Sequence, residues 1–300
     1  MTFGKTAKWI STISLSLLLA ACGSDDTTND SGSDAGSDAG DFDASTDIHV
    51  ITREDGSGTR GAFTEITGVV DENGDDAIVQ SATVQNGTSA VMQGVAGDLY
   101  SIGYISLGSL DDSVKALNVN DVEATPENIA SGEYEVARNF NVTYAGELSE
   151  VAQDFWNFIF SAQAQALAEE EGYVAVDSAA PEYEAQGLSG SIQIVGSTSV
   201  EPVMLRISEA YRELNPDVTI DITAPGSGAG ITAAIDGTAD IGMASRELDE
   251  EEQAQVTETA ALAVDGIAVI VHLDNPTEGL SMDEIGGIYL GDTTTWDAVQ

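Results

Sequence analysis

Residues 53–60 (REDGSGTR) combine the residue types that bind a small anion: two arginines together with Ser57, Gly58 and Thr59. An apolar run at 48–51 precedes them, and apolar residues spaced as on one helical face follow. A strand, a Gly/Ser/Thr loop and a helix start together direct backbone N–H groups at whatever lies above the helix. The pattern predicts an anion-binding loop, with an ordinary turn and a serine N-cap as the alternative.

Three more segments carry small hydroxyl residues at the end of a predicted strand. They are 197–199 (Ser-Thr-Ser), 226–228 (Gly-Ser-Gly) and 245–246 (Ser-Arg). A tetrahedral oxyanion needs many fixed hydrogen-bond donors and little else, which such loops offer. Strand and helix patterns alternate after residue 190, which predicts α/β architecture with mainly parallel sheets whose loops collect at one end.

The chain is strongly acidic, with nine Lys and Arg residues against 52 Asp and Glu residues and a formal charge of −43. Lys5 and Lys8 lie in the first 22 residues, and Lys115 is the single lysine after them. This charge disfavours nucleic acid and anionic membrane surfaces as partners. At molar salt the Debye length is about 3 Å and only local charges act, so the composition indicates exposure to high salt.

The first 22 residues have the pattern of a secretory signal: a basic start, a short apolar run and small residues before Cys22. Residues 19–22 (LAAC) resemble the lipobox of bacterial lipoproteins, in which the cysteine is lipidated. A plain signal peptide with an incidental cysteine is the alternative. Residues 23–46 are rich in Asp, Ser and Gly, which predicts a disordered acidic tether.

Signatures of catalysis are missing from the sequence. It contains neither G-x-x-x-x-G-K-[ST] nor G-x-S-x-G, and no cluster of metal-ligand residues stands out. Its two histidines, His49 and His272, lie in apolar strand patterns, so we expect packed side chains rather than a general base. We therefore expect a binding protein without cofactor or metal, and not an enzyme.

Seven stretches together resemble the phosphate-binding lipoproteins of bacterial high-affinity phosphate ABC transporters. They are REDGSGTRGAF (53–63), SIGYISLGSLDDSVKAL (101–117), GSTSVEP (196–202), GSGAGI (226–231), DGTADIGMASREL (236–248), DGIAVIVHLDNP (265–276) and IYLGDTTTWDAV (288–299). The resemblance implies a two-lobed type II periplasmic-binding-protein fold with a hinge. It also implies a monomeric, extracytoplasmic lipoprotein, anchored to the membrane through Cys22, that captures phosphate and delivers it to permease subunits. The alternative is an oxyanion-sensing or adhesion lipoprotein that uses the same fold without transport.

The order of these stretches differs from the order in that family. There, the stretch resembling 196–202 comes first, and the one resembling 288–299 runs directly into the one resembling 53–63. We interpret this as a circular permutation, with a fragment of a tandem array as the alternative. Permutation predicts that Gln300 lies close to the strand beginning at Ile48. The expected lobes are 47–106 plus 268–300 and, separately, 107–267, with 177–190 as the linker between the usual family termini.

The resemblance implies phosphate contacts from both lobes. The expected residues are Thr198, Ser199, Ser227 and Ser245 on one lobe, and Arg53, Ser57, Gly58 and Thr59 on the other. Arg53 would supply the positive charge and be held by Asp55, whereas Arg60 and Arg246 would contact the ligand or pair with acidic residues. Well-known members of the family carry an aspartate where this chain has Ser245, and such a carboxylate accepts the phosphate proton and repels sulfate. Asp55 is the candidate substitute, so selectivity among oxyanions stays open.

Overall fold

The computed structural model describes residues 42–299. Its strands are β1 His49–Arg53, β2 Thr83–Gln85, β3 Ser101–Ser106, β4 Lys115–Ala116, β5 Asn118–Val119, β6 Ala137–Tyr144, β7 Val174–Ala175, β8 Gly190–Gly196, β9 Val218–Thr223, β10 Ile241–Ala244, β11 Glu258–Val271 and β12 Gly279–Leu280. Its α-helices are α1 Gly58–Thr67, α2 Thr88–Ala96, α3 Pro126–Ser131, α4 Glu150–Ile159, α5 Ala162–Glu170, α6 Glu201–Leu214, α7 Ser227–Ile235, α8 Glu250–Gln253 and α9 Met282–Leu290.

Buried side chains form two main cores, and these define two lobes. Lobe I comprises residues 139–263, with Ile194 in its core. Lobe II comprises residues 42–136 and 267–299, with Tyr104 in its core and a smaller apolar cluster on the other side of its sheet. The expected α/β, two-lobed fold with a hinge is confirmed.

One continuous sheet passes through both lobes in the order β2-β1-β3-β11-β6-β10-β8-β9. Its outer strands are parallel within each lobe: β2, β1 and β3 in lobe II, and β10, β8 and β9 in lobe I. The central strands β6 and β11 pair antiparallel with their neighbours, so the sheet is mixed. The pairing registers place the carboxyl ends of β3 and β10 next to the middle of this strand pair. Loops that follow the parallel strands therefore gather where the lobes meet.

The β6–β11 pair is the hinge, because both strands pass from one core to the other. Along β6, Val136 just before the strand packs in lobe II and Phe140 packs in lobe I. Along β11, Ala263 packs in lobe I and Ile267 packs in lobe II. Relative motion of the lobes must therefore bend this two-stranded ribbon.

The expected lobe boundary at 106/107 differs from the packing. Leu117, Val119 and Val136 share the core of Tyr104 in lobe II, although the sequence placed them with 107–267. After β3 the chain returns to the lobe II end of the sheet, where β4 pairs with β11 at Val271. It crosses to lobe I only at β6. A motif-based boundary cannot reveal such a return.

The expected disorder of the tether does not extend to residue 46. Phe42 stacks on Tyr100 at 5.2 Å between ring centroids and meets Trp296 at 6.0 Å. Ala44 accepts a backbone hydrogen bond from Asp297. Aromatic packing thus fixes the last five residues of this segment. The signal segment 1–22, Cys22 and tether residues 23–41 lie outside the described residues.

The carboxyl-terminal segment lies against the start of β1. The Ile48 N–H donates to Thr294 at 2.7 Å, and Asp47 forms a bridge with Thr295. Gln300 itself lies outside the described residues, so its closeness to the strand beginning at Ile48 stays a prediction. Among residues 42–299, no helix is long and apolar enough to cross a membrane.

Candidate functional site

The loop after β1 is organised by an N-cap. Ser57 caps α1, because its Oγ accepts a hydrogen bond from the Arg60 N–H at 3.3 Å. This arrangement places Gly58 and Thr59 in the first turn of the helix, where N–H groups lack intrahelical acceptors. Gly56 has a φ of +79°, which lets the chain reverse between strand and helix.

Lobe I presents equivalent loop ends to this helix. Ser197 to Ser199 connect β8 to α6, Ser227 begins α7, and Ser245 directly follows β10. The loops lie side by side because β10, β8 and β9 are adjacent parallel strands. At Gly196, an added Cβ would lie 2.6 Å from the Met243 nitrogen, so only glycine permits this close strand packing.

Hydroxyl groups from both lobes meet in what we call the hydroxyl cluster. Its members are Thr59, Thr88, Ser197, Thr198, Ser199, Ser227 and Ser245, all of them buried except for the half-buried Thr198. Between lobes, Thr59 Oγ1 is 2.8 Å from Ser199 Oγ, and Thr88 Oγ1 is 3.3 Å from both Thr198 Oγ1 and Ser199 Oγ. Within lobe I, Ser245 Oγ accepts from Ser197 at 2.9 Å and lies 3.3 Å from Ser227 Oγ.

Arg53 brings the charge to this cluster. Its side chain is 2% exposed, and its Nη2 donates to Thr198 Oγ1 across the lobes at 3.0 Å. Nη1 has no hydrogen-bond partner within residues 42–299. The Tyr104 hydroxyl accepts from the Arg53 backbone N–H and bonds Thr52, and burial raises the pKa of Tyr104 to about 12. Arg53 is thus a buried cation in a fixed position, and its Nη1 is available to donate to a ligand.

The partner of Arg53 is Glu54, not Asp55 as expected. Glu54 accepts from Arg53 Nε at 2.8 Å and Nη2 at 2.7 Å, and from the Gly87 N–H at 3.0 Å. Burial alone would raise the pKa of Glu54, but the bonds from Arg53 and Gly87 outweigh it and hold the pKa below its usual value. The bidentate pair leaves the site with a local charge near zero.

Asp55, Arg60 and Arg246 are engaged elsewhere. The Asp55 carboxylate is 99% exposed and accepts from Arg60, which also pairs with Asp76. Arg246 donates to both carboxylate oxygens of Glu252, at 2.6 and 2.7 Å, and this pairing raises its pKa. In this closed structure, Arg60 and Arg246 are therefore each paired with acidic residues.

Contact between the lobes is close at Gly58. A Cβ there would lie 2.8 Å from Ser245 Oγ and closer still to Ser227 Oγ, so no larger residue fits. Nearby, the Gly228 N–H donates to the Gly56 carbonyl across the lobes at 3.0 Å. The structure is a closed form, in which α1 of lobe II and α7 of lobe I meet end to end.

Sequence reasoning missed two site residues, Thr88 and Glu54. Thr88 follows β2 and Gly87 at the start of α2, which is the same strand, small residue and hydroxyl pattern as in the recognised loops. Glu54 had no distinguishing signal, because either of two adjacent acids could reach Arg53. Of the predicted residues, the structure brings Arg53, Gly58, Thr59, Thr198, Ser199, Ser227 and Ser245 together. Ser57 lies beside them as the N-cap.

Other groups with catalytic potential lie apart from the cluster. His49, expected to be packed, is exposed at the opposite end of β1 from Arg53, and its Nδ1 is 2.6 Å from Asp98. Across the part of the chain that the structure describes, no group of three His, Cys, Asp or Glu residues could hold a metal ion.

The family model of the PBP superfamily domain matches residues 28–163 and 181–300. Among curated proteins, phosphate-binding protein PstS 2 of Streptococcus pneumoniae (TIGR4) is 48% identical over 260 residues, covering 86% of this chain and 89% of the relative. PstS 2 of Streptococcus agalactiae (2603 V/R) is 41% identical over 302 residues, covering 97% and 98%.

A solved structure is similar over the same extent. The crystal structure of a phosphate-binding protein of a phosphate ABC transporter from S. pneumoniae TIGR4 matches with a TM-score of 0.69 and 47% identity. The match covers 85% of this chain and all of that chain. Fold and sequence therefore agree over both lobes.

Proposed function

The chain belongs to the phosphate-binding proteins of the PBP superfamily, and we propose that it captures inorganic phosphate between its lobes and delivers it to an ABC transporter. One observation carries this proposal. Arg53 and Thr59 of lobe II meet Thr198, Ser199 and Ser245 of lobe I in a buried cluster. Hydroxyls and a fixed guanidinium are the donors that a tetrahedral oxyanion requires.

Helix N-termini support the same ligand class. Helices α1 and α2 of lobe II and α6 and α7 of lobe I begin at or beside the hydroxyl cluster, and each has at least nine residues. Their unsatisfied N–H groups and their dipoles favour an anion at this point. These backbone donors act locally, so they bind phosphate despite the acidic surface.

In this proposal the residues divide the work. Arg53 supplies the single positive charge, oriented by Glu54, and its free Nη1 donates to a phosphate oxygen. Thr59, Thr198, Ser199, Ser227 and Ser245 donate through their hydroxyls, and Gly58 donates through its backbone N–H. Ser57 keeps the first turn of α1 in place. Thr88, which touches Thr198 and Ser199, completes the set from lobe II.

Selectivity rests on groups that can accept the phosphate proton. Ser245 Oγ can accept as well as donate, and it stands at the centre of three other hydroxyls. Glu54 provides a half-buried carboxylate beside the cluster, and its Oε1 shares Arg53 Nη2 with Thr198. Since a hydroxyl also tolerates a fully ionised oxyanion, we propose weaker discrimination against sulfate than an aspartate at position 245 would give.

We propose that the protein acts by binding and release, without catalysis. A closing and opening cycle suits delivery to permease subunits. The relatives are named as phosphate-binding proteins, and the solved structure is named as that of a phosphate ABC transporter. The lipobox-like residues 19–22 support anchoring through Cys22 on the extracytoplasmic side of the membrane. The tether would then span 23–41, because Phe42 already packs on lobe II.

The circular permutation is also retained as a proposal. Contacts of residues 294–297 with 44–48 support it, since the two ends of the described chain lie side by side in lobe II. The alignment with the S. agalactiae relative covers nearly all of both chains, so the two proteins have their segments in the same order. A shared order favours permutation over a random fragment of a tandem array.

Isothermal titration in 1 M KCl tests the function directly. Phosphate and sulfate are titrated separately into the purified protein lacking residues 1–22. We expect saturable one-to-one binding of phosphate. Absence of phosphate binding in this experiment would refute the proposal.

A further inference from the structure

A buried ion pair lies in the hinge itself. Arg138 of β6 faces Asp265 of β11 in the strand register, and its Nη2 donates to Asp265 Oδ2 at 3.0 Å. The side chains are 3% and 0% exposed. Along β6, Arg138 lies between Val136 of lobe II and Phe140 of lobe I. Along β11, Asp265 lies between Ala263 of lobe I and Ile267 of lobe II. The pair therefore occupies the place where the ribbon must bend.

The two partners are held by different lobes. Asp265 Oδ1 accepts from Ser106 of lobe II at 2.9 Å. The Arg138 guanidinium lies over the ring of Phe140 in lobe I, 5.4 Å from its centroid. Rotation of one lobe against the other consequently changes the geometry of the pair.

A contact between lobes covers this hinge. The ring of Tyr173, which packs in the core of lobe I, occupies the space where a Cβ on Gly108 of lobe II would lie. Because Tyr173 and Gly108 belong to different lobes, we expect separation of the lobes to open this contact and admit water to the pair. We therefore expect Arg138 and Asp265 to be least accessible to water in the closed form.

Hydrogen bonding of the pair is incomplete in the closed form. Nε and Nη1 of Arg138 have no partner among residues 42–299. Burial lowers the pKa of Arg138 and raises the pKa of Asp265 to about 6, although each partner opposes the shift of the other. Burying such a pair costs more than its attraction returns unless every donor is satisfied. Opening the hinge would hydrate the two free N–H groups.

We propose that Arg138 and Asp265 are positioning residues that bias the ligand-free protein towards the open form and thereby set its affinity for phosphate. This inference rests on the proposed function. Closure desolvates the pair, and phosphate contacts at the hydroxyl cluster offset that cost. Neither residue touches the ligand. Their effect passes through the open–closed equilibrium, because a ligand binds more weakly when its competent state is rarely populated.

Three variants test the proposal: Arg138→Met, Asp265→Leu and the double variant. Each single change leaves one buried charge without a partner, so we expect phosphate Kd to rise about tenfold or more. The double variant has no charge to desolvate and should bind phosphate at least as tightly as the wild type. Its radius of gyration without phosphate, from small-angle scattering, should be smaller than that of the ligand-free wild type. Arg206→Met, at an exposed pair with Glu171, is the control and should change neither quantity.

The outcomes separate the two proposals. If the wild type does not bind phosphate, the proposed function fails, while scattering of the ligand-free proteins still tests the hinge. If the wild type binds and the single variants bind within threefold of it, the hinge proposal is wrong. The hinge proposal is also wrong if the double variant and the wild type have the same radius of gyration without phosphate. This measurement tests the proposal even when a single variant does not fold.

Discussion

Arg53 and Thr198 are 145 positions apart in the chain and belong to different lobes, yet Nη2 of one donates to Oγ1 of the other at 3.0 Å. The bond lies at the centre of a buried polar cluster that neither lobe could form alone. Because the donors come from both lobes, a bound oxyanion stabilises closure, and closure removes the ligand from water. Binding and conformational change are therefore one event at this site.

Arg53→Ala should weaken phosphate binding by about 2 kcal/mol or more, which is at least about thirtyfold in Kd. The variant removes the buried cation of the site and leaves Glu54 without its partner. Calorimetric titration at 1 M KCl measures the effect. Arg212→Ala, a change on helix α6 outside the cluster, is the matched control and should bind as the wild type does. Equal losses in both variants would contradict the site.

Gly58→Ala should prevent full closure. Its new Cβ would meet the hydroxyls of Ser227 and Ser245, which are themselves fixed by buried hydrogen bonds. We expect at least a tenfold loss of phosphate affinity, about 1.4 kcal/mol, with little change in unfolding temperature. Gly61→Ala is the control, because a Cβ there makes only ordinary contact with Arg246 at 3.5 Å. Tight phosphate binding by Gly58→Ala would show that the lobes need not meet as described.

Much of the site could be predicted from the sequence because its chemistry is local. At Ser57, Ser227 and Ser245, a strand end, a small residue and a hydroxyl occur within a few positions, and the N-cap role of Ser57 follows from its local sequence alone. The α/β class follows from alternating patterns in the same way. These features depend on short-range rules, and the structure reproduces them.

The features that were missed depend on long-range packing. Whether Glu54 or Asp55 holds Arg53 is decided by Gly87, whose N–H fixes Glu54 from a loop 33 positions away. The segment 107–136 joins lobe II because β4 pairs with β11, a contact between residues more than 150 positions apart. Phe42 lies in a polar segment of the sequence, but in the structure it packs against Tyr100 and Trp296. Local sequence patterns cannot predict contacts between residues so far apart in the chain.

Ser245→Asp should sharpen selectivity. A carboxylate at this position would lie between the hydroxyls of Ser197 and Ser227 and would accept a hydrogen bond from the protonated oxygen of monohydrogen phosphate. It would repel sulfate, which has no proton to donate. We expect the ratio of sulfate Kd to phosphate Kd to rise at least tenfold, measured by competition titration at pH 7.5. Ser245→Ala separates charge from loss of the hydroxyl. A ratio that stays the same in Ser245→Asp would exclude position 245 from selectivity.

Salt should accelerate phosphate capture. The formal charge of −43 repels a dianion at long range, whereas the Arg53–Glu54 pair adds no net charge at the site. Raising KCl from 0.1 M to 1 M shortens the Debye length from about 10 Å to about 3 Å, so the repulsion is screened. We expect the association rate constant from stopped-flow measurements to increase several-fold. A rate that falls with salt would mean that local positive potential dominates.

The pH dependence of stability should report the burial of Asp265. Its pKa is raised to about 6 in the folded protein, chiefly by burial, against about 3.9 for an unfolded chain. Between these values the folded state binds a proton that the unfolded state does not. The contribution of Asp265 to the free energy of unfolding is therefore greatest at acidic pH and is lost as pH rises through about 6.

Urea unfolding of the wild type and of Asp265→Asn at pH 7.5 and at pH 5 measures this contribution. The neutral amide cannot titrate, so other ionisable groups largely cancel when the two proteins are compared. We expect the wild type to gain stability relative to Asp265→Asn on acidification. A relative loss would mean that the charge–charge attraction to Arg138 outweighs burial, and that Asp265 is held ionised with a lowered pKa. The sign of this one difference therefore decides whether desolvation governs the hinge.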